Sequence, residues 1–179
     1  TLRINTEYEN LTHYITCTVI EWIDIFTKPV YFELLTDSLE YCREKKGLRL
    51  YEYVIMTNHL HMIVRANDGF RLSQILSDFK KYTTQQIYKQ LQMDNRRYIL
   101  NLLKNSFSKK EGYESQIWQR ENYPEPMLSQ RFMDEKIKYL YENPVRKGYV
   151  SKPEDWLYSS ARNRILGRQD LIKVDNYEE

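Results

Sequence analysis

Glycine and proline are scarce in this chain, five of each among 179 residues, which leaves no room for a long flexible linker. Cysteine is scarcer still. Cys17 and Cys42 stand alone, without CxxC or metal-type spacing, and read as two buried thiols in a reducing compartment. No run of about eighteen apolar residues occurs, so no membrane span is expected. Thr1 to Asn10 lacks the apolar run of a signal peptide, and the chain does not begin with Met. Together these absences predict a cytoplasmic protein. The length suits one domain with a sizeable core, and no internal repeat is visible.

What the chain does have is uneven charge and many aromatics. The net charge is only +2. Within 71–110, however, stand Arg71, Lys80, Lys81, Lys89, Arg96, Arg97, Lys104, Lys109 and Lys110 against Asp78 and Asp94 alone, a local +7 that leaves −5 for the remainder. Concentrated positive charge attracts polyanions; a solvated helix face followed by a lysine-rich loop is the plainer explanation, and charge alone does not separate the two. Sixteen tyrosines are present. Aromatics beside basic groups suit stacking on unpaired bases, although most tyrosines are expected to pack in the core.

Periodicity orders the elements. His13 to Ile20, β-branched and aromatic, reads as a strand. Pro29 opens a helix to about Lys46, with Val30, Tyr31, Leu34, Leu35, Leu39 and Cys42 at helical spacing and Gly47 as its cap. Leu48 to Met56 and His59 to Arg65 read as a hairpin of strands around Thr57-Asn58. A second helix spans about Leu72 to Leu91 with the stripe Leu72, Ile75, Leu76, Phe79, Thr83, Ile87 and Leu91. Ser106 to Ser115 reads as a mobile polar loop, Gln116 to Arg120 as a short fourth strand, and Arg131 to Asn143 as a helix ended by Pro144. A short turn and a last helix are expected around Pro153 to Ile165. Strand, helix, strand, strand, helix, strand is the order of an α+β, ferredoxin-like (RRM-like) fold, an antiparallel sheet with two helices on one face and the other face free. A C-terminal helical extension follows.

His59-Leu60-His61 lies inside an apolar strand, so both imidazoles project from one face and Leu60 from the other. Such a pair can converge on a divalent cation; two hydrogen-bonded, partly buried histidines are the alternative. Tyr82 sits mid-way along the second helix, with Gln86 one turn on and on the same face. A phenol titrates near ~10 and is a weak nucleophile at neutral pH. Metal charge, with Lys80 or Lys81, would favour its phenolate, and the Gln86 carbonyl offers a third ligand. An ordinary tyrosine on an amphipathic helix is the competing explanation.

The stretch Tyr53-Val54-Ile55-Met56-Thr57-Asn58-His59-Leu60-His61-Met62-Ile63-Val64 resembles the signature of the single-tyrosine HUH transposases, with Thr57 where that motif usually has Pro. The resemblance is nearest to the REP-associated tyrosine transposase branch. Tyr139-Leu140-Tyr141-Glu142-Asn143-Pro144-Val145-Arg146-Lys147-Gly148 and Trp156-Leu157-Tyr158-Ser159-Ser160-Ala161-Arg162 resemble the C-terminal half of that branch, so that the likeness runs from roughly Thr12 to Asn163. It implies a catalytic domain over 1–125 with an extension over 126–179 packed on it. It implies His59 and His61 as metal ligands for Mg²⁺ or Mn²⁺, Gln86 completing the site, and Tyr82 as the nucleophile, with Tyr88 as a second candidate on the opposite helix face.

The implied reaction is cleavage and rejoining of single-stranded DNA through a 5′-phosphotyrosine, at a hairpin-bearing element end. Lys80, Lys81, Lys89, Arg96 and Arg97 would contact phosphates. Asn143, Arg146, Arg162 and Arg164 would add contacts to the hairpin; for any single one of them, capping and surface solvation are the better explanation. The resemblance allows a monomer or a homodimer. Two other classes stay open: a binder of structured nucleic acid that does not cut, and a metal-dependent hydrolase with a water nucleophile.

Overall fold

The computed structural model describes residues 4, 8–107, 116–120, 124–169 and 171–177. Strand β1 (His13–Thr18) is followed by a 3-10 turn at Ile20–Trp22 and helix α1 (Pro29–Lys46). The hairpin β2 (Leu48–Ile55) and β3 (His59–Ala66) leads into α2 (Leu72–Met93) and α3 (Arg97–Phe107). Then come β4 (Glu125–Pro126), α4 (Gln130–Arg146), a 3-10 turn at Pro153–Asp155 and α5 (Ala161–Leu166). The sheet has the order β2-β3-β1-β4, and its pairs are antiparallel. That is the expected ferredoxin-like arrangement.

Helix α1 begins with Pro at its first turn and ends at Gly47, whose left-handed backbone (φ 72°) lies where any Cβ would collide with the Phe70 ring. All seven residues of the expected α2 stripe are buried. All but Thr83 join Leu35 and Leu39 of α1 and Leu60, Met62 and Val64 of β3 in the main core. Leu60, Met62 and Val64 alternate with His59, His61 and Ile63, so the histidines occupy the other sheet face.

That other face is covered rather than free. Ile137, Leu140 and Tyr141 of α4 pack over Tyr14, Tyr51, Val54, Met56 and Ile63. Helix α4 is capped by Ser129, whose hydroxyl accepts from the Phe132 amide at 3.2 Å. It runs through Pro144 to Arg146, beyond the expected stop at Asn143. Proline costs the bond its own N–H would make and crowds the preceding turn; its carbonyl is still available, and accepts from the Tyr149 amide at 3.0 Å.

Three further departures have local causes. Helix α3 goes beyond the elements expected from periodicity; Ile99 and Leu103, four residues apart, bury one of its faces. Gln116 to Arg120 makes only an isolated bridge, Val19 to Trp118, and the edge strand is instead β4, paired with His13 and Tyr14. Side chains anchor the 116–120 segment: Trp118 packs near Phe26 and Phe79 and donates Nε1–H to Thr83 Oγ1 at 2.9 Å. Of the expected polar loop, Ser106 and Phe107 end α3, and 108–115 lies outside the described residues. Both cysteines are buried thiols. Among the described residues, no helix is long and apolar enough to cross a membrane.

Candidate active site

His59 and His61 lie side by side on central strand β3, ring centroids 4.7 Å apart, each only 6% exposed. In each, Nδ1 is already engaged. His59 Nδ1 lies 2.7 Å from Asn58 Oδ1. The Asn58 amide is itself oriented, because Nδ2 donates to Asp24 Oδ1 at 2.9 Å and to the Trp22 carbonyl at 3.1 Å. Thr57, at the position where proline is usual in the resembling motif, donates its hydroxyl to the same Asp24 oxygen at 2.6 Å. His61 Nδ1 meets Thr16 Oγ1 at 2.9 Å, across the β1–β3 pair that sets Thr16 opposite His61. An imidazole that donates from Nδ1 has its lone pair on Nε2.

Burial holds both rings neutral. His59 is lowered to about 4, chiefly by desolvation and then by the charge of Lys147. His61 is lowered to about 3 by desolvation, with further contributions from His59, Lys136 and Arg146. Neutral imidazole is the ligand form, so at neutral pH no proton has to leave before a cation binds.

Helix α4 faces this pair. Asn143, 4% exposed, places its amide Nδ2 3.4 Å from His59 Nε2. A half-turn of the amide brings Oδ1 to that place, since the two ends of an amide are distinguished only by their partners. One helical turn earlier, the Tyr139 ring stands edge-on to His61 at 5.6 Å and remains 45% exposed. The Arg146 guanidinium lies over the Tyr139 ring, 4.2 Å from its centroid. The site therefore joins two imidazoles, an amide and an open phenol beneath positive charge.

Tyr82 and Gln86 are not part of it. They line a groove between α1 and α2 with Leu34, Asp37, Ser38, Tyr41 and Asp78. Helix α2 packs on the Leu60 face of the sheet, and strand alternation sends the histidines to the opposite face. The sheet lies between the expected nucleophile and the expected metal ligands. Tyr88 packs against the core, and burial pushes its phenol up to about 12.

The expected phosphate contacts divide in the same way. Arg146 is at the site. Lys80 reaches the Gln119 carbonyl at 3.3 Å, and Lys81 and Lys89 are exposed on α2, away from the histidines. Arg96 donates to the Ile25 carbonyl at 2.7 Å and stacks over Tyr31. Arg97 holds Asn95 Oδ1 at 2.9 Å. Arg164 is structural, bound to Glu52, the Tyr51 carbonyl and the Asp175 carbonyl. The charges of Lys136 and Lys147 also reach the histidines, although no sequence pattern marks either lysine.

Glu52 holds α4 over the sheet. This carboxylate, 1% exposed, accepts from Ser160 Oγ (2.6 Å), Tyr141 Oη (2.8 Å), Arg164 Nε (3.0 Å) and Tyr177 Oη (3.2 Å). Tyr141 lies between Tyr139 and Asn143 in sequence, so this bond fixes the rotation of α4 that presents both to the histidines.

A family model described as transposase IS200 like matches residues 7–110, a stretch from before β1 through α3 that includes the histidine pair. The chain belongs to the IS200-like transposase family. A curated REP-associated tyrosine transposase from Haemophilus influenzae is 26% identical over 116 residues, covering 62% of this chain and 57% of that one. The chain thus spans little more than half the length of that relative. The solved structure of a REP-associated tyrosine transposase bound to a REP hairpin superposes with a TM-score of 0.65 at 16% identity, over 100% of this chain and 93% of that one. A transposase from Deinococcus radiodurans matches at a TM-score of 0.48 and 13% identity, over 80% of this chain and 97% of that one. The resemblance carried by the His59-Leu60-His61 stretch and the Asn143-Pro144 segment points to the same family.

Proposed function

We propose that this transposase cleaves and rejoins single-stranded DNA with Tyr139 as nucleophile, at a divalent-metal site formed by His59, His61 and Asn143. The observation that carries the proposal is the placement of Tyr139 and Asn143, one helical turn apart on α4, against His61 and His59. Among the described residues no cluster of three or more His, Cys, Asp or Glu offers a metal site, so an ion here needs the amide. Two neutral imidazoles and an amide oxygen fit Mn²⁺ or Mg²⁺, with positions left for phosphate oxygens. When bound, the ion would neutralise charge on the scissile phosphate.

The chain's own residues supply the rest. Tyr139 gives up its phenolic proton, and its oxygen bonds to phosphorus. The bond from phosphorus to the 3′ oxygen breaks, and that oxygen leaves with a proton as a free 3′-OH. A 5′-phosphotyrosine remains, and attack by another strand's 3′-OH reverses the exchange, so the phosphodiester is conserved without an external energy source. Arg146 and Lys147 set positive charge where the phosphate arrives. The relative of like fold carries a hairpin, and the substrate we propose is likewise a hairpin, with a single-stranded flank.

Incubation of the protein with Mn²⁺ and labelled single-stranded hairpins, resolved on a denaturing gel, tests this function. A covalent adduct that persists in Tyr82→Phe and disappears in Tyr139→Phe and His59→Ala supports it. Cleavage without an adduct in any variant would indicate a water nucleophile, and DNA shifted on a native gel but never cut would indicate a binder.

A further inference from the structure

At the rim of the histidine pair, Trp22 is 59% exposed although it is the largest side-chain type. Its ring stands 5.8 Å from that of His59, at 71° to it. It belongs to none of the buried clusters. Its backbone is also unusual: Glu21 and Trp22 in succession have positive φ, 51° and 55°. Two consecutive non-glycine residues in the left-handed region are strained, and such strain persists only where surrounding bonds over-determine it. Those bonds are present. The Trp22 amide donates to the Val19 carbonyl at 3.1 Å, and the Ile23 amide to that of Ile20 at 3.2 Å. The Trp22 carbonyl accepts from Asn58 Nδ2 at 3.1 Å, and Asn58 is the residue that orients His59.

The fold therefore holds a large flat ring out in solvent, in a strained turn tied to the residue that sets a proposed metal ligand. The edge contact with His59 leaves most of the ring exposed. We propose that Trp22 is a stacking platform for an unpaired base of the single-stranded DNA whose scissile phosphate is presented to Tyr139. This rests on the proposed function of the site. The chemistry favours a base over an apolar protein partner. Lys147, whose charge reaches His59, supplies attraction for the adjoining backbone phosphate, and an aromatic face accepts any base. Paired bases keep their faces stacked inside the duplex, so the platform selects single strands.

The test uses the full chain carrying Tyr139→Phe, which binds without cutting, and a hairpin with a labelled single-stranded flank. Trp118 is buried and Trp156 half-buried, so quenching of tryptophan emission on DNA binding is expected, and Trp22→Phe should remove it. Trp22→Ala should weaken binding by roughly tenfold and Trp22→Phe should restore most of the loss, with Mn²⁺ affinity unchanged in both. An abasic sugar at one flank position should weaken binding to the Trp22 protein by a similar factor and have no further effect on Trp22→Ala. Unaltered DNA binding in Trp22→Ala overturns the inference. So does a matching loss of Mn²⁺ affinity with no abasic effect, which would make Trp22 a prop for His59. Failure of the Tyr139→Phe chain to bind any single strand would overturn the proposed function itself.

Discussion

Asn58 and Thr16 contact no reacting atom in the proposed mechanism, yet each holds the Nδ1 of one imidazole. Partners of this kind orient ligands and raise their basicity, and their loss typically lowers metal affinity by about 10- to 100-fold. Asn58→Ala and Thr16→Val should each weaken Mn²⁺ binding by factors in that range, read by calorimetry, while Tyr82→Phe leaves it unchanged. The same two histidines make the metal-free protein acid-sensitive. Their folded values, about 4 and about 3, lie below the usual 6.5. The unfolded chain therefore binds more protons between these limits. Their contribution is complete above about pH 6.5 and is lost as pH falls through 4 toward 3; His13, also lowered by burial, acts in the same direction. Denaturant midpoints measured in chelator should be flat from about pH 8 to about 6.5 and decline below it. A midpoint that rises on acidification would contradict the burial of these rings.

Two helices of this molecule carry the same short pattern, a tyrosine followed four residues later by an amide: Tyr82 and Gln86 on α2, Tyr139 and Asn143 on α4. Local sequence cannot separate them. Most of the fold is legible in the sequence, since the alternation in β3 and the seven-residue stripe of α2 are periodic and strongly apolar. The histidine pair is legible for the same reason. What decides which tyrosine stands beside the histidines is the sheet face each helix covers, a tertiary fact. A signal does exist: the stripe of α2 has to cover the apolar Leu60, Met62 and Val64, which commits that helix to the face away from the histidines. Helix α4 then takes the remaining face, and Glu52 fixes its rotation through Tyr141. Glu52→Gln should loosen this bond set and Tyr141→Phe should remove one member, each costing about 1–3 kcal/mol in chemical denaturation. Adduct formation should fall in both by more than DNA binding does, because the loss is of Tyr139 and Asn143 alignment. Equal losses in binding and chemistry would make Glu52 a general prop.

The whole molecule divides its chemistry by the sheet. One face holds α1, α2 and the main core; the other holds His59, His61 and α4 with Lys136, Arg146 and Lys147 nearby. Much of the basic cluster at 71–110 lies on the first side, where Arg96 and Lys80 already bind carbonyls. Composition marks a polycationic segment, but charge density along the chain does not say which surface meets the phosphate. The covalent step proposed for α4 can be tested by reading the modified residue directly. The protein would be incubated with Mn²⁺ and a single-stranded hairpin, digested with protease and nuclease, and the modified peptide sequenced by mass spectrometry. A nucleotide on Tyr139 is expected. A nucleotide on Tyr82 or Tyr88 would contradict the proposed site, and would require the DNA to be cut on the far side of the sheet from the histidines.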